Sequence, residues 1–332
     1  MSRKLSPDLL EKYIFNRIGR LDSKVILGPR YGEDAAIINL DNKYLVMHTD
    51  PITGAVKNIG WLAVNIVSND IAVRGVKPRW ILLVILLPMN FPEKDIDAIT
   101  RQIDKAAREI GAMIIGGHTE FTVDIERPII SATAIGVTSN KNIVKTCGVK
   151  DGDYILMTKG AGLEGTSILA TDFEEKLREK GVSEKIILNA KNFINEISVV
   201  REALILSEYA NSMHDPTEGG ILNGLAEMAY ASNIGIDIWI DKILIREETK
   251  IICRKLDIDP LRLISSGVLL ASIPPNNLEK SRNVLDRERI PYSIIGRAGG
   301  KRCLRIYRDG ELIKTLYDRY YTDELEKIWR AK

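Results

Sequence analysis

The stretch Gly60-Trp-Leu-Ala-Val-Asn-Ile-Val-Ser-Asn-Asp70-Ile-Ala-Val-Arg-Gly-Val-Lys-Pro78 decides the fold of the N-terminal half. Its apolar residues leave so little polar surface that it predicts a buried helix, ended by Gly75 and Pro78. Asp70 interrupts this helix, and a buried carboxylate is costly unless a cation, a metal ion or hydrogen-bond donors meet it. Two interpretations are open: an ion pair with Arg74, one helical turn further on, or a metal site.

Size and composition describe an ordinary folded protein. The chain has 332 residues, which predicts two domains because single cores rarely exceed about 250 residues. Its formal charge of +2 gives no electrostatic case for nucleic acid or an anionic membrane. No apolar run approaches the ~20 residues that a bilayer requires, and residues 1–8 contain no apolar signal region, so we expect a cytoplasmic protein. Three widely spaced cysteines argue against disulfides and a thiolate zinc site.

Alternation of apolar runs and helical stripes predicts an α/β chain divided near residue 148. We expect domains 1–148 and 149–332, the second with alternating strands and helices. Three strands bear on the site: one at 44–47 with His48 and Asp50 at its end, one at 80–87 buried on both faces, and one that begins at 113–115 and breaks at Gly116-Gly117. We also expect a helix at 92–110 and a long helical region at 174–209 that is interrupted at Gly181.

A glycine-rich loop, Lys159-Gly-Ala-Gly-Leu-Glu-Gly165, follows a predicted strand at 154–158 and precedes a helix. Backbone N–H groups at a helix start can receive phosphate oxygens. The spacing matches neither the P-loop nor the dinucleotide fingerprint, so this loop alone is weak evidence.

All three histidines lie beside acids: His48 near Asp50, His118 near Glu120, and His214 next to Asp215. Two mechanisms are open. Asp34, Asp50, Asp70 and Asp215 can offer oxygen ligands to Mg²⁺ on nucleotide phosphates. Alternatively, the histidines bind zinc or manganese in a hydrolytic site, although no two of them share a helix face at i, i+4. Any single histidine can instead be a hydrogen-bonded wall of the site.

Seven motifs occur in an order that resembles a known superfamily. They are Gly32-Glu-Asp-Ala-Ala, Thr49-Asp50, Asn69-Asp70 with Gly75 and Pro78, Gly116-Gly-His-Thr, Gly160-Ala-Gly-Leu-Glu-Gly-Thr, Asp215-Pro-Thr-Glu-Gly-Gly and Ser265-Ser-Gly. Together they resemble the PurM-like superfamily of aminoimidazole ribonucleotide (AIR) synthetase, selenophosphate synthetase, thiamine-monophosphate kinase and the hydrogenase maturation protein HypE. The resemblance to HypE is the strongest, through the Gly160 loop and the Asp215 segment.

This resemblance implies a two-domain PurM-like fold, with an α+β N-terminal domain whose strands pair across a homodimer into a barrel and a C-terminal α/β domain. ATP would lie in the cleft between the domains, and members use ATP to phosphorylate an oxygen of their substrate. The implied metal or phosphate contacts are Asp34, Asp50, Asp70 and Asp215. The implied catalytic residues are His118, Glu120 and His214, and further nucleotide contacts are Asn69, Gly117, Thr119, Lys159, Gly160, Gly162, Gly165 and Glu218.

Three departures separate this chain from HypE. HypE carries a C-terminal cysteine, whereas the last thiol here is Cys303. His118 stands where HypE usually has Asp, and Glu218 where it has Arg. We therefore expect a Mg²⁺- and ATP-dependent enzyme, performing phosphotransfer or an ATP-driven dehydration or cyclisation, whose acceptor is a small molecule or a group on a partner protein. The alternatives are a non-catalytic nucleotide-binding or scaffold homologue and a metal-dependent hydrolase.

Overall fold

The computed structural model describes residues 5–55, 57–318 and 320–330. The observations about the extreme termini, at residues 1–4 and 331–332, lie outside these ranges. Within them, the predicted mixed α/β architecture is confirmed as two sheets with helices packed on them.

The first sheet has the strand order β1-β2-β3-β6-β4-β5, and β4 and β5 are its parallel pair. Its strands are β1 Val25–Leu27, β2 Ala36–Leu40, β3 Lys43–Ile52, β4 Pro78–Pro88, β5 Met113–Thr122 and β6 Ile129–Thr138. The helices of this half are α1 Pro7–Tyr13, α2 Ile59–Ala72 and α3 Glu93–Ile110.

Helix α2 is the buried helix that the opening stretch predicts, since all of its residues are buried. It packs on β3 and β6 of the first sheet and against α3. Gly60 allows the two helices to approach closely, because a Cβ there would lie 2.5 Å from the carbonyl oxygen of Ile99. The helix ends at Ala72, three residues before the left-handed Gly75.

Three strand predictions for this half need correction. Strand β4 is buried on one face only, because Leu82 and Val84 are exposed on the face away from α2. Strand β3 does not end before His48, since it continues to pair with β6 as far as Ile52. Strand β5 likewise runs through Gly117 instead of breaking there. Ladder pairing with a neighbouring strand, which a single segment cannot reveal, extends both strands.

The second sheet has the order β13-β12-β9-β11-β7-β10-β8 and is antiparallel except between β12 and β9. Its strands are β7 Tyr154–Thr158, β8 Ser212–His214, β9 Ile236–Trp239, β10 Leu270–Ile273, β11 Tyr292–Ala298, β12 Leu304–Arg308 and β13 Glu311–Leu316. Its helices are α4 Leu163–Asp172, α5 Glu174–Glu179, α6 Glu184–Lys191, α7 Val200–Leu206, α8 Gly220–Ser232, α9 Glu247–Leu256, α10 Leu278–Arg287 and α11 Leu325–Arg330.

The predicted long helical region at 174–209 is three short helices, α5, α6 and α7, instead of two. One continuous apolar core joins the two sheets, since Ile130 of β6 belongs to the same cluster as Leu156 of β7 and Ala271 of β10. Among the described residues, no helix combines the length and the hydrophobicity needed to cross a membrane.

Candidate functional site

The four aspartates singled out in the sequence line one cavity of about 570 Å³, which we call the acid cavity. Asp34 precedes β2, Asp50 lies in β3, Asp70 in α2, and Asp215 directly follows β8. They come from both halves of the chain, so the cavity lies where the two sheets meet. Its volume falls within the roughly 300–1,000 Å³ typical of small-molecule sites.

Arg74 is fully buried beside this cavity and does not pair with Asp70, so that predicted ion pair is wrong. Its Nη1 lies 2.9 Å from Glu33 Oε2, and its Nη2 lies 2.5 Å from Asp34 Oδ2. Nη2 also donates to the carbonyl oxygen of Met213 at 2.9 Å. Because α2 ends at Ala72, Arg74 lies beyond the helix and does not share a helical face with Asp70.

Asp70 instead faces the first histidine of the chain. The distance from Asp70 Oδ2 to His48 Nε2 is 3.7 Å. Asp70 is 8% exposed and lines the acid cavity, as does His48 on β3. The carboxylate of the buried helix α2 is therefore presented to the cavity.

His214 lies between two carboxylates. Its Nδ1 is 2.7 Å from Asp34 Oδ1, and its Nε2 is 2.8 Å from Glu227 Oε2. Burial lowers the pKa of His214, but Asp34 and Glu227 outweigh burial and raise that pKa to about 10. Burial likewise raises the pKa of Asp34, and His214 and Arg74 outweigh it, so this pKa lies below its ordinary value. An imidazolium has no lone pair for a metal ion, so the geometry gives His214 a positioning role.

Asp215 is the acid that fits a bound cation best. It is 2% exposed, and neither of its carboxylate oxygens has a hydrogen-bond partner among the described residues. Burial, and then the charge of Asp34, raise the pKa of Asp215 well above its ordinary value. Carboxylate oxygens of Asp34 and Asp215 lie within 4.8 Å of each other, close enough to share one ion, with His214 beside them. A buried carboxyl group without partners is costly, and a divalent cation would remove that cost.

Two side chains that we predicted to contact the nucleotide, Asn69 and Lys159, are instead engaged in bonds within the protein. The Asn69 side chain donates to the carbonyl of Ile197 at 3.0 Å and accepts from the Val199 amide at 2.9 Å. Lys159 Nζ lies 2.8 Å from Glu202 and donates to the carbonyls of Glu196 and Ser198. Both side chains tie the segment before α7 to the rest of the core.

The glycine-rich loop has its own partners within the protein. The amide of Gly162 donates to Ser265 Oγ at 2.9 Å, and that of Gly165 donates to the Ile264 carbonyl at 3.0 Å. A Cβ on Gly165 would lie 2.4 Å from Leu263 Cγ, and one on Gly160 would lie 3.1 Å from Arg246. Close packing therefore accounts for glycine at positions 160 and 165. The amides of Gly162 and Gly165 already donate within the protein and have no free hydrogen for a phosphate.

The residues of β5 lie outside the acid cavity of a single chain. His118 and Glu120 pair with each other at 3.1 Å on an exposed strand, and Thr119 lies between them. By register they project from the same sheet face as the exposed Val84. Gly117 permits close strand approach, since a Cβ there would lie 1.8 Å from the carbonyl oxygen of Leu83.

Sequence reasoning missed two acids of the site and misplaced a third. Glu33 holds Arg74, and Glu227 holds His214. The available signal for Glu227 was a charged residue on helix α8, whose other residues are mostly apolar. Glu218 lines a neighbouring cavity of about 340 Å³ that shares Asp50 and Thr217 with the acid cavity.

Comparisons with known proteins agree with this architecture. Residues 32–138 match the model for the AIR synthase related protein N-terminal domain, and residues 150–308 match that for the C-terminal domain. A Methanocaldococcus jannaschii protein described as a hydrogenase expression/formation protein is 30% identical over 293 residues, covering 85% of this chain and 83% of that protein. Carbamoyl dehydratase HypE of Rhizobium leguminosarum is 27% identical over 260 residues, covering 75% and 71%.

Solved structures share the fold. HypE in its complex with HypF matches with a TM-score of 0.75 at 23% identity, covering 94% of this chain and 99% of that one. HypE in complex with ATP matches with a TM-score of 0.70 at 22% identity, covering 92% and 89%. The two-domain PurM-like fold and the resemblance to HypE are thereby confirmed.

Proposed function

This chain belongs to the AIR synthase related protein family, and from that premise we propose that it is a Mg²⁺-dependent enzyme that uses ATP to phosphorylate an oxygen of its substrate. The observation that supports the proposal is the convergence of Asp34, Asp50, Asp70 and Asp215 on the acid cavity. Asp215 contributes two buried oxygens without hydrogen-bond partners, the donor set that Mg²⁺ prefers.

The same cavity also has an apolar part. Leu10, Phe15 and Tyr31 line it together with the acids. A nucleoside triphosphate has one apolar, aromatic part and one anionic part that binds metal, so a cavity with both kinds of wall suits it. We assign the apolar residues to the base and the aspartates to the metal-bound phosphates.

Mg²⁺, when bound, would neutralise charge on the phosphate oxygens. The role of this chain's residues is to place the acids. Arg74 and His214 hold Asp34 from two sides, and α2 carries Asp70 on a rigid, buried helix. In the transfer, the bond from the γ-phosphorus to the β-bridging oxygen breaks as the bond to the acceptor oxygen forms, and ADP leaves.

Thermal unfolding with a non-hydrolysable ATP analogue tests the nucleotide site. The analogue with Mg²⁺ should stabilise the wild-type chain by about 2.7 kcal/mol at 100 times its dissociation constant. The gain should need Mg²⁺ and should vanish in Asp70→Asn and Asp215→Asn. Asp124→Asn makes the same chemical change at an exposed position and should keep the gain. Stabilisation without Mg²⁺, or retained in both cavity variants, would refute the proposal.

Turnover separates the enzyme from the alternatives. ATP binding without hydrolysis in the presence of candidate acceptors would favour a scaffold homologue. Stoichiometric zinc or manganese without ATP binding would favour the hydrolase, although both ring nitrogens of His214 already face carboxylates.

The acceptor is either a small molecule or a group on a partner protein. None of Cys147, Cys253 and Cys303 lines either cavity, and burial raises the pKa of Cys253 to about 12. A reaction on one of these thiols therefore has no support in the structure. The HypE–HypF complex shows that a relative assembles with another protein, which supports a test for acceptor groups supplied in trans.

We also propose a homodimer built on the first sheet. Helix α2 covers one face, whereas Leu82 and Val84 of β4 are exposed on the other. Strand β5 is an edge strand with Phe121 exposed. Unpaired edges and apolar faces favour association, and a second copy can supply both the missing pairing and the missing cover. His118 and Glu120 would then lie at the interface.

A further inference from the structure

A second cavity, of about 340 Å³, adjoins the acid cavity, and we call it the Glu164 cavity. Asp50 and Thr217 line both cavities. A molecule in the Glu164 cavity would therefore be a direct neighbour of one in the acid cavity. The nucleotide proposal does not assign any role to this space.

The walls of the Glu164 cavity are largely apolar. The C-terminal helix α11 forms one side of it through Leu325 and Trp329. Trp329 packs closely on the segment after β3, since a Cβ on Gly54 would lie 2.9 Å from Trp329 Cη2. The other apolar side chains of the wall are Ile52, Ala55, Ile66, Ile168 and Ile264. This enclosure excludes a large occupant while α11 stays in place.

Two buried polar atoms in the wall have no hydrogen-bond partner among the described residues. They are Oε2 of Glu164, which is 3% exposed, and Oγ of Ser266, which is fully buried. A buried polar atom without a partner destabilises the folded state. The Ser266 hydroxyl lies close enough to Glu164 to lower the pKa of its carboxyl group, but burial outweighs it. A single hydroxyl leaves most acceptor sites of a carboxylate open. A ligand that donates hydrogen bonds would fill them.

The charged side chains in the wall of the Glu164 cavity indicate which kind of hydrogen-bond donor the ligand carries. Besides Glu164, the carboxyl groups in the wall are Asp50, Glu218, Asp323 and Glu326, and the described lining contains no Lys, Arg or His. Phosphates and carboxylates would meet only like charge or neutral side chains there. A nitrogen cation would satisfy Glu164, gain from the surrounding acids, and pack its carbon atoms on the apolar walls, with Trp329 available as an aromatic face.

We infer that the Glu164 cavity binds a small organic cation, with an ammonium, amidinium or guanidinium group donating to Glu164 and Ser266. Its position beside the acid cavity makes a cation of this kind that also carries an oxygen the candidate acceptor of the phosphoryl group, and this last step rests on the proposed function. The binding of the cation does not depend on it.

Ligand-observed saturation-transfer NMR on the full chain tests the inference with methylguanidinium, neutral N-methylacetamide and acetate as probes. Methylguanidinium should bind, N-methylacetamide should bind more weakly, and acetate should give no transfer. Glu164→Gln should weaken methylguanidinium binding by roughly tenfold or more. Glu179→Gln removes a carboxylate at an exposed position and should leave it unchanged.

If Glu164→Gln does not fold, Ser266→Ala removes the second atom without changing charge and should weaken binding by a few-fold. Acetate binding as strong as that of methylguanidinium, or equal binding by the folded Glu164 and Glu179 variants, would overturn the inference. Stabilisation by the Mg²⁺-bound ATP analogue is measured on the same samples. If the ATP analogue does not stabilise the chain while methylguanidinium binds, only the proposed function fails. If the analogue stabilises the chain while methylguanidinium does not bind, only this inference fails.

Discussion

The guanidinium of Arg74 lies 2.5 Å from the carboxylate of Asp34, although 40 residues separate them in the chain. Glu33 and the carbonyl of Met213 complete its surroundings. A fully buried guanidinium thus joins the loop before β2, the end of α2 and strand β8. Because Glu33 and Asp34 line the acid cavity, this one side chain fixes part of the cavity wall.

Replacing Arg74 should therefore be costly. Arg74→Met leaves Glu33 and Asp34 buried without their cation, and should lower the free energy of unfolding by about 3–5 kcal/mol. Urea denaturation measures the loss. Arg201→Met breaks an ion pair with Glu288 whose Arg201 side chain is 63% exposed, and should cost less than about 1 kcal/mol. Equal losses would show that the buried network does not hold the site.

Asp215→Asn should stabilise the chain while it abolishes Mg²⁺-dependent binding. It replaces a buried carboxyl group without partners, so we expect the free energy of unfolding to rise by about 1–2 kcal/mol without nucleotide. Asp153 is equally buried but accepts bonds from Asn211, Ser272 and the Lys150 amide. Asp153→Asn should destabilise. Destabilisation by both variants, seen in urea denaturation, would contradict the reading of Asp215 as a cation ligand.

We predict that Glu164 makes the free energy of unfolding depend on pH. Burial raises the pKa of Glu164 to about 7 from an ordinary value of 4.5. Between these values the unfolded chain is ionised and the folded chain holds its proton, so stability falls as pH rises from about 4.5 to about 7. Glu164→Gln should remove about 3 kcal/mol of that fall. Denaturation midpoints measured from pH 4 to pH 8 check this. A pH dependence that is the same in both proteins would refute the assignment.

Gly54 should tolerate a methyl group poorly because of Trp329. Gly54→Ala places a Cβ 2.9 Å from the indole and should displace it, at a cost of about 1–3 kcal/mol. Tryptophan fluorescence should shift to longer wavelength as the ring becomes more exposed. Gly28→Ala, whose Cβ would lie 3.5 Å from Val25, makes an ordinary contact and should be nearly neutral. An unchanged emission spectrum in Gly54→Ala would show that α11 does not close the Glu164 cavity.

The dimer proposal predicts a position-specific effect of charge. Val84→Lys places a charge on the exposed face of the first sheet and should convert a dimer into a monomer. Ile313→Lys changes an equally exposed apolar residue on β13 of the second sheet and should have no such effect. Light scattering after size-exclusion chromatography measures the mass. A wild-type monomer, or a dimer that survives Val84→Lys, would exclude this interface.

Much of the architecture could be predicted from local pattern. The largely apolar stretch 60–73 indicated the buried helix α2, because a helix without a polar face must be covered on all sides. Helical periodicity located α3, which was predicted at 92–110 and spans Glu93–Ile110. Strand ends were less predictable: β3 and β5 continue past their apolar runs because neighbouring strands pair with them, and that pairing is not a property of either segment.

The sequence by itself determined the buried helix α2, the mixed α/β architecture and the order of motifs that identified the family, because apolar periodicity and turn chemistry act over a few residues. Only the tertiary structure decided the partners of the charges. Arg74 meets Asp34 instead of Asp70, and among the described residues Glu164 has Ser266 beside it but no cation. A buried charge binds whichever group the crossing of distant segments brings within about 3 Å, and separation along the chain does not determine that.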